Sequence, residues 1–457
     1  MPGDRHLDAI TACPRCDKSP LTVVSERFRC DACKVDFPDV GGIPWLFAEP
    51  EASLGEWRNR LHFALQQLAG DSQRIEAELE DKHLLSSTRD RLEHLRRAVD
   101  EHRSNLRELL APLDVHSSTA SRESYLALRT RLPTDQGIAT YYNNIHRDWS
   151  WGDVENAASL DVIRDVAGDG DIGSALVLGA GAGRLAYDIH MQLGASNTVA
   201  VDFNPLLVLV AARMMSGEKL ELHEFPIAPR TAADVAVARQ LAAPEPARGS
   251  FDLVLADILR PPFAAASFDT VVTPWLIDIV NDDLPRQAAR INGLLKDQGR
   301  WINFGSLAFS HPRKKRCYSA GETAEIVAAS GFNLPELIDR EIPYMCSPAS
   351  RHSRRETVMA FAATKTMNVA APERHLALPD WIVTGKAPVP LTRSFQSQAM
   401  STRIHAYIMS MIDGRRNLHD MAALLEQQRL MTKEEALPAL RNFFTRMHDD
   451  SERASGY

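Results

Sequence analysis

The chain has 457 residues, 44% of them apolar, and a formal net charge of −8. At about 150 residues per domain, this predicts roughly three units with ample material for cores. The acidic balance argues against a dedicated nucleic-acid binder. There is no run of 18 apolar residues, MPGDRHLDAI has no basic-then-apolar leader, and six cysteines in so long a chain make no disulfide scaffold. A cytoplasmic protein with no membrane contact is expected.

Residues 1–50 read as a zinc ribbon. Cys13-Pro-Arg-Cys16 and Cys30-Asp-Ala-Cys33 are two CxxC knuckles with thirteen residues between them. Four thiolates at this spacing can surround one Zn²⁺ and leave no open position, so the zinc is expected to be structural. Thr22–Val24 and Arg27–Arg29 supply a hairpin between the knuckles. With Gly41-Gly42-Ile43-Pro44-Trp45-Leu46 the unit resembles small zinc-ribbon proteins that accompany some methyltransferases as activators.

Residues 51–135 are charged and leucine-spaced. Leu92, Leu95, Val99, Leu106 and Leu110 mark one helical face packing on the next domain. His83, His94 and His102 read as solvated or packing residues, and Pro112 to Ser121 as a loop.

Residues 136–365 alternate strands with helices, the pattern of a doubly wound α/β sheet. Ala175 to Leu178 is a buried strand that breaks into Gly179, Gly181 and Gly183, and a helical pattern starts at Arg184. Glycines and a helix N-terminus make a seat for a nucleotide-like ligand. The loop alone fits NAD, FAD or a tight turn equally. Val199 to Asp202 is a second strand ending in an acid 19 residues after Gly183, where a carboxylate can accept both ribose hydroxyls. Arg184 and Asn204, beside these, join the cofactor-binding candidates. Phe251 to Ala256 and Phe268 to Thr273 are further strands, Asp282 to Leu295 has helical spacing, and Gly299 to Phe304 is a fifth strand. Ala242 to Gly249 is a Pro/Ala-rich connection.

Residues 366–390, with Pro372, Pro379, Pro388 and Pro390, read as a linker. In 391–457, Ile404, Ile408, Met411 and Ile412 fit one helix. Asn417 caps the next, with Leu418, Met421 and Leu425 inward, and Thr432-Lys-Glu-Glu435 is a capping box ahead of Leu437, Leu440, Phe444 and Met447. This helical unit loosely resembles winged-helix modules of the peptide-binding PqqD-like kind; a plain peptide- or protein-docking domain is the favoured reading. The tail 449–457 is expected to be disordered.

Asn143 to Ser150, the loop Gly179 to Leu185, Trp275-Leu276-Ile277-Asp278 and Arg300 to Leu307 together resemble the carnosine N-methyltransferase (N2227-like) family, over about residues 138–365. The resemblance implies a Rossmann-like class I methyltransferase domain. It would use S-adenosylmethionine and methylate an imidazole nitrogen of a histidine-containing small molecule or peptide. It implies that Asn144 and Arg147 lie over the methionine end of the cofactor, Arg147 holding its carboxylate. Asp202 takes the ribose, Asp257 and Ile258 meet adenine, and Thr273 lines the floor near the sulfonium. Asp278 would accept a ring N–H of the acceptor; read from the residues alone, it could equally cap a helix.

The chain departs from the family on the substrate side. Ala308-Phe309-Ser310-His311 stands where the family has Tyr-His, so His311 is a displaced match. Tyr344 lies near a substrate-facing tyrosine, and His352-Ser353-Arg354-Arg355 replaces an aromatic cluster. Arg313-Lys314-Lys315-Arg316 is a basic run that either draws an acidic substrate or is a solvated loop. Two other readings stay open: methylation of another N or O nucleophile of a biosynthetic intermediate, and a non-catalytic zinc-ribbon scaffold binding protein or nucleic acid.

Overall fold

The computed structural model describes residues 6–25, 27–115, 138–280, 282–311, 313–372 and 387–453. The chain divides into two units, Met1–Glu373 and Arg374–Tyr457.

The first unit opens with helix α1 (His6–Ile10) and a small antiparallel sheet of β1 (Thr22–Val24), β2 (Arg27–Cys30) and β3 (Val35–Asp36). A hairpin of β4 (Asp39–Val40) and β5 (Ile43–Pro44) follows. The hairpin between the knuckles pairs Thr22 with Arg29 and Val24 with Arg27. Helices α2 (Pro50–Leu79) and α3 (Ser86–Leu109) then run antiparallel, and Leu92, Leu95, Val99, Leu106 and Leu110 are all buried. Where a loop was expected from Pro112, Ala111–Leu113 form a 3₁₀ turn; residues 116–121 lie outside the described residues. Helix α4 (Ile138–His146) passes into a π-helical turn at Arg147–Trp151, and α5 (Asp153–Ala167) leads to the sheet.

That sheet holds β6 (Gly173–Leu178), β7 (Ala195–Asp202), β10 (Ser250–Leu255), β11 (Phe268–Pro274), β12 (Leu295–Gly305), β13 (Ile338–Tyr344) and β14 (Arg354–Thr364), in the order β10-β7-β6-β11-β12-β14-β13. The first five are parallel. β14 is antiparallel to both neighbours, so β13 runs parallel to β12. Helices α6 (Arg184–Gln192), α7 (Pro205–Met215), α8 (Leu284–Leu294) and α9 (Ala320–Ala329) complete the alternation. Both sheet faces are covered, as a parallel sheet requires. Ala175 and Val177 pack beside Ile163 and Ile189 on one face; Leu176 and Leu178 pack beside Ile291 and Phe28 on the other. Strand order reverses at β6, which places a crevice at the carboxyl ends of β6 and β11.

Strands β13 and β14, and a separate hairpin of β8 (Leu220–Glu224) and β9 (Val237–Leu241) held against α3, lie outside the strands expected from the sequence. Asp339-Arg340-Glu341 in β13 and Arg354-Arg355-Glu356 in β14 are consecutive charges that mask any apolar alternation, and β8 and β9 are only five residues each.

The connection from β10 to β11 spans residues 256–267 and contains no helix. The Cys-rich module covers that flank instead. Thr11 bridges Phe263, Ala12 N–H donates to Pro262 O (2.8 Å) and Ala264 N–H to Ile10 O (2.8 Å). Leu46 N–H donates to Leu255 O (2.8 Å), extending the sheet beside β10. Leu7, Cys13, Phe28, Cys30 and Phe37 share one core with Leu178, Val199 and Val254.

The described residues of the second unit form three helices, α10 (Arg393–Ser410), α11 (Leu418–Gln427) and α12 (Lys433–Arg453), around Ile408, Met411, Met421, Leu425 and Leu440. Asn417 caps α11, and Thr432 and Glu435 form the reciprocal box before α12. No strand occurs among the described residues 387–453. Helix α10 ends at Ser410 with Met411 as its C-cap, so Ile412, placed on it by its spacing, lies beyond its end and is exposed. Where tail disorder was expected from 449, the helix continues to Arg453. The remaining tail, and Pro379 of the linker, lie outside the described residues.

Candidate functional site

Strand β6 delivers the chain into Gly179, whose N–H, with that of Ala180, donates to Val201 O (2.9 Å each), tying the loop to β7. Gly181 and Gly183 both have positive φ, 60° and 90°. A Cβ on Gly183 would sit 3.0 Å from Ala211 Cβ, so this glycine lets α6 approach α7; a Cβ on Gly181 would meet nothing within 4 Å. Gly181 is therefore the glycine that faces open space at the carboxyl edge.

Its amide is held by the expected acid. Gly181 N–H donates to Asp202 Oδ2 (2.8 Å) and Asn204 N–H to Asp202 Oδ1 (2.9 Å). Burial pushes the Asp202 carboxyl up to about 6, against the pull of these backbone donors. Asn204 itself is committed to structure: its side chain caps α7 by accepting Leu206 N–H (3.0 Å). Asp257 ends β10, accepts Leu259 N–H (2.8 Å) and is raised by burial. Ile258 lines a small cavity with Leu178, Thr273, Leu276 and Arg290. Thr273 is fully buried; its hydroxyl accepts the Trp301 indole N–H (2.9 Å) and lies 2.9 Å from the Asn303 side chain. Its polar atom thus serves the sheet, leaving its carbon atoms to the cavity.

The pre-sheet segment is bolted to the glycine loop. Trp149 Nε1 donates to Ala182 O (2.8 Å). Arg184 lies over the Trp149 ring, donates to Asp148 O (2.8 Å) and pairs with Asp188 (2.9 Å). Arg184 is therefore a fastener between the two motifs. Arg147 pairs with Asp148 (2.7 Å) and Glu155 (3.4 Å). Burial works against its charge, but the two acids outweigh it and hold the guanidinium more firmly protonated than usual. Half-buried Asn144 sits one residue past Asn143 on α4.

On the acceptor side, Asp278 lies in the turn after β11, not at a helix start; the residue before α8 is Asp283. Asp278 Oδ2 accepts Ala308 N–H (2.8 Å) and the Ser306 hydroxyl (3.3 Å), joining the ends of β11 and β12, and burial raises its pKa. Tyr344 closes β13 at the same edge. Its ring is 5.0 Å from Trp275 and under Arg354 (4.5 Å), and burial raises its pKa while Arg147 opposes this. The fold thus brings Tyr344 and Arg147 into one electrostatic neighbourhood. His311 sits further along the post-β12 segment, its Nδ1 accepting Arg313 N–H (2.9 Å).

The reading of the sequence assigned nothing to Asp148, Glu155 or Trp275. Acids are ordinary before and in a first helical turn, so they gave no signal. Trp275 has φ 51°, rare for a bulky residue, and no pattern in sequence reports that.

The four cysteines converge. The Sγ atoms of Cys16 and Cys30 are 3.6 Å apart, those of Cys13 and Cys33 4.0 Å, and all four lie within 4.8 Å of one another. Zinc–sulfur bonds of about 2.3 Å in a tetrahedron give sulfur–sulfur edges of about 3.8 Å, so the set fits one such ion. Arg15 N–H to Cys13 Sγ and Cys33 N–H to Cys30 Sγ (3.4 Å each) supply donors suited to thiolates.

The sheet order, the glycine loop and the acid closing β7 define a Rossmann-like methyltransferase domain. Residues 136–334 match the model of the carnosine N-methyltransferase family. Among solved structures, the chain is similar to Haemonchus contortus phosphoethanolamine N-methyltransferase 2 in complex with phosphomonomethylethanolamine and S-adenosylhomocysteine (16% identity, 46% of this chain and 53% of that one, TM-score 0.30). It is similar also to the N-methyltransferase NodS from Bradyrhizobium japonicum (12% identity, 47% and 97%, TM-score 0.31). A third is the Haloferax volcanii complex of the Trm112 methyltransferase activator with a methyltransferase (14% identity, 50% and 96%, TM-score 0.33). The match spans about half the length of the first of these. No curated protein matches the sequence.

Proposed function

We propose that this chain is an S-adenosylmethionine-dependent N-methyltransferase that methylates an imidazole nitrogen of histidine in a small molecule or peptide. What carries the reading is the buried Asp202 carboxylate clasping the Gly181 amide on the open side of the loop, inside the segment that matches the carnosine N-methyltransferase family. When bound, the cofactor supplies an electrophilic methyl group on a sulfonium. Asp202 would accept ribose hydroxyls, and Asp257 with Ile258 would border the adenine. Arg147 has five N–H groups; Nε and Nη2 on Asp148 and Nη1 on Glu155 use three, leaving two for a carboxylate.

Asp278 is the residue assigned to orient the acceptor. Its anchored carboxylate would accept one ring N–H and so fix the tautomer whose other nitrogen keeps its lone pair. Neutral imidazole needs little base assistance near pH 7, and positioning can supply about 7–11 kcal/mol of the barrier. Four clustered thiols suit a reducing compartment, so the cytoplasm is proposed, with Zn²⁺ as a structural ion at Cys13, Cys16, Cys30 and Cys33. No described helix is long and apolar enough to cross a membrane. The helical unit 391–457 is assigned to docking a peptide or protein.

Calorimetry with S-adenosylhomocysteine should show micromolar binding, and mass spectrometry of histidine peptides incubated with cofactor should show a gain of one CH₂ unit. Asp278→Asn should lower turnover at least tenfold while changing S-adenosylhomocysteine affinity less than threefold. A flat calorimetric trace, or methylation of an amine or hydroxyl alone, would overturn the assignment.

A further inference from the structure

The segment after β8 is stitched to the turn between β13 and β14. Arg351 N–H donates to Ala228 O (2.7 Å), Arg230 N–H donates to Ala349 O (3.1 Å), and Pro229 bridges Ser350. The two arginines of this strap also reach across it. Arg230 Nε donates to Ser350 O (3.0 Å), and Arg351 Nη2 donates to Arg230 O (2.7 Å). Backbone carbonyls therefore fix both guanidinium groups without neutralising either. Both side chains belong to exposed residues. Among the described residues no carboxylate forms an ion pair with either; the acids on the adjoining strands pair elsewhere, Glu356 with Arg354, Glu341 with Arg355 and Glu224 with Arg239, and Asp234, four residues after Arg230, accepts the Thr231 N–H and hydroxyl. Two guanidiniums tied by carbonyls to one strap, at Ser350 and Arg230, are suited to receive a carboxylate or phosphate.

Their position relative to the acceptor side is set by the hairpin. Gly305 pairs with Met359 and Tyr344 with Arg354, so β14 overhangs the end of β12 by five residues, about 17 Å. The overhang forms a wall at the carboxyl edge, with Tyr344 facing Trp275 and Arg354 lying over Tyr344. Arg351 is three residues from Arg354, no more than about 10 Å along the chain. A peptide held at Trp275 and Tyr344 would need to extend only a few residues along the wall to meet it. A second positive segment, Arg313 to Lys315, follows β12 beyond Ala308, which Asp278 clasps, whereas Arg316 is paired with Asp283. The acceptor mouth is thus positive on two sides in a chain of net charge −8.

We propose that the acceptor is a peptide carrying an anionic group, a carboxylate or a phosphate, a few residues from the methylated histidine, and that Arg230 and Arg351 bind that group. The identity of the methylated residue rests on the function proposed above; the anion receptor does not. Peptide is favoured over nucleic acid because the overall charge repels a polyanion while the local pair attracts a single group.

The test reads binding, separately from turnover. Fluorescence anisotropy would follow three labelled octapeptides, identical except for Glu, phosphoserine or Gln three residues from the histidine, on the full chain with S-adenosylhomocysteine. The Glu or phosphoserine peptide should bind at least tenfold more tightly than the Gln peptide, and whichever does identifies the source of the charge. Arg230→Ala with Arg351→Ala should abolish the difference. Because both side chains also pin the strap, Arg351→Glu alone is the second variant, expected to reverse the preference, an outcome that a loosened strap would not produce. Equal binding of all three peptides, an unchanged preference in both variants, or tighter binding of an oligonucleotide of the same charge would overturn the proposal. Failure of methyl transfer with the preference intact would instead overturn only the assigned reaction.

Discussion

Replacing Asp202 by Asn separates what the acid does for the fold from what it does for a ligand. Its folded pKa of about 6 lies above the ordinary 3.8, so its contribution to stability is fully present below 3.8 and is lost as pH rises through 6. The total is about 3 kcal/mol at 1.36 kcal/mol per unit, of which about 1.3 kcal/mol falls between pH 5 and pH 7. The amide cannot ionise, so the stability difference between wild type and Asp202→Asn, from urea melts without ligand, should shift by that amount in favour of wild type at pH 5. The amide also cannot accept from both the Gly181 and Asn204 N–H groups while offering an oxygen to a ribose. Losing charge-assisted bonds worth about 1.5–3 kcal/mol should weaken S-adenosylhomocysteine by roughly 10- to 150-fold at pH 7.5. Wild-type affinity should itself fall about tenfold from pH 7 to pH 5 as the carboxylate is protonated. Calorimetry at both pH values measures this. Binding within twofold of wild type in Asp202→Asn, with no pH dependence in either protein, would refute the reasoning.

The two loop glycines should fail differently. Gly183→Ala adds strain at positive φ and a 3.0 Å contact with Ala211 Cβ, and should lower stability by about 2–3 kcal/mol in chemical denaturation. Gly181→Ala meets only open space, so it should cost about 1 kcal/mol of stability yet at least a tenfold loss in S-adenosylhomocysteine affinity. Elemental analysis should give about one zinc per chain, and Cys30→Ser should lower metal content and melting temperature together, because Cys30 belongs to the core shared with the sheet. His102 is buried and held down at about 3 by burial and by His223. The stability associated with its neutral form is fully present above pH 6.5 and is lost as pH falls towards 3. His146 and His223 are lowered as well, so His102→Gln should not abolish the loss of stability from pH 7 to pH 5 in urea melts but lessen it by about 2 kcal/mol.

The parts of the molecule legible in sequence are those written locally. A strand, three alternating glycines, a helix and an acid at the end of the next strand occupy fewer than thirty consecutive residues, Ala175 to Asp202, and the fold assembles them as read. The two knuckles are equally local. What escaped depends on residues far apart in the chain. β14 begins Arg-Arg-Glu-Thr because those residues overhang the sheet, so its start lacks the alternation that marks a strand. Arg147 has two buried acidic partners, and the second, eight residues on, is aimed at it only because a π-helical turn intervenes. Asn204 shows the opposite failure. It sits two residues from Asp202 but spends its side chain on a cap, a choice governed by the Pro205 helix start.

The covering of the β10–β11 flank by the Cys-rich module governs how this protein can be dissected. The family-matched segment begins at residue 136, but excising it there would strip Leu7, Phe28 and Phe37 from Leu178, Val199 and Val254, baring greasy sheet that no crossover helix can hide. Such a fragment should aggregate on expression, whereas one ending near residue 373 should stay in solution. An ion bound far from any reacting atom would then decide whether the chemistry has a scaffold at all.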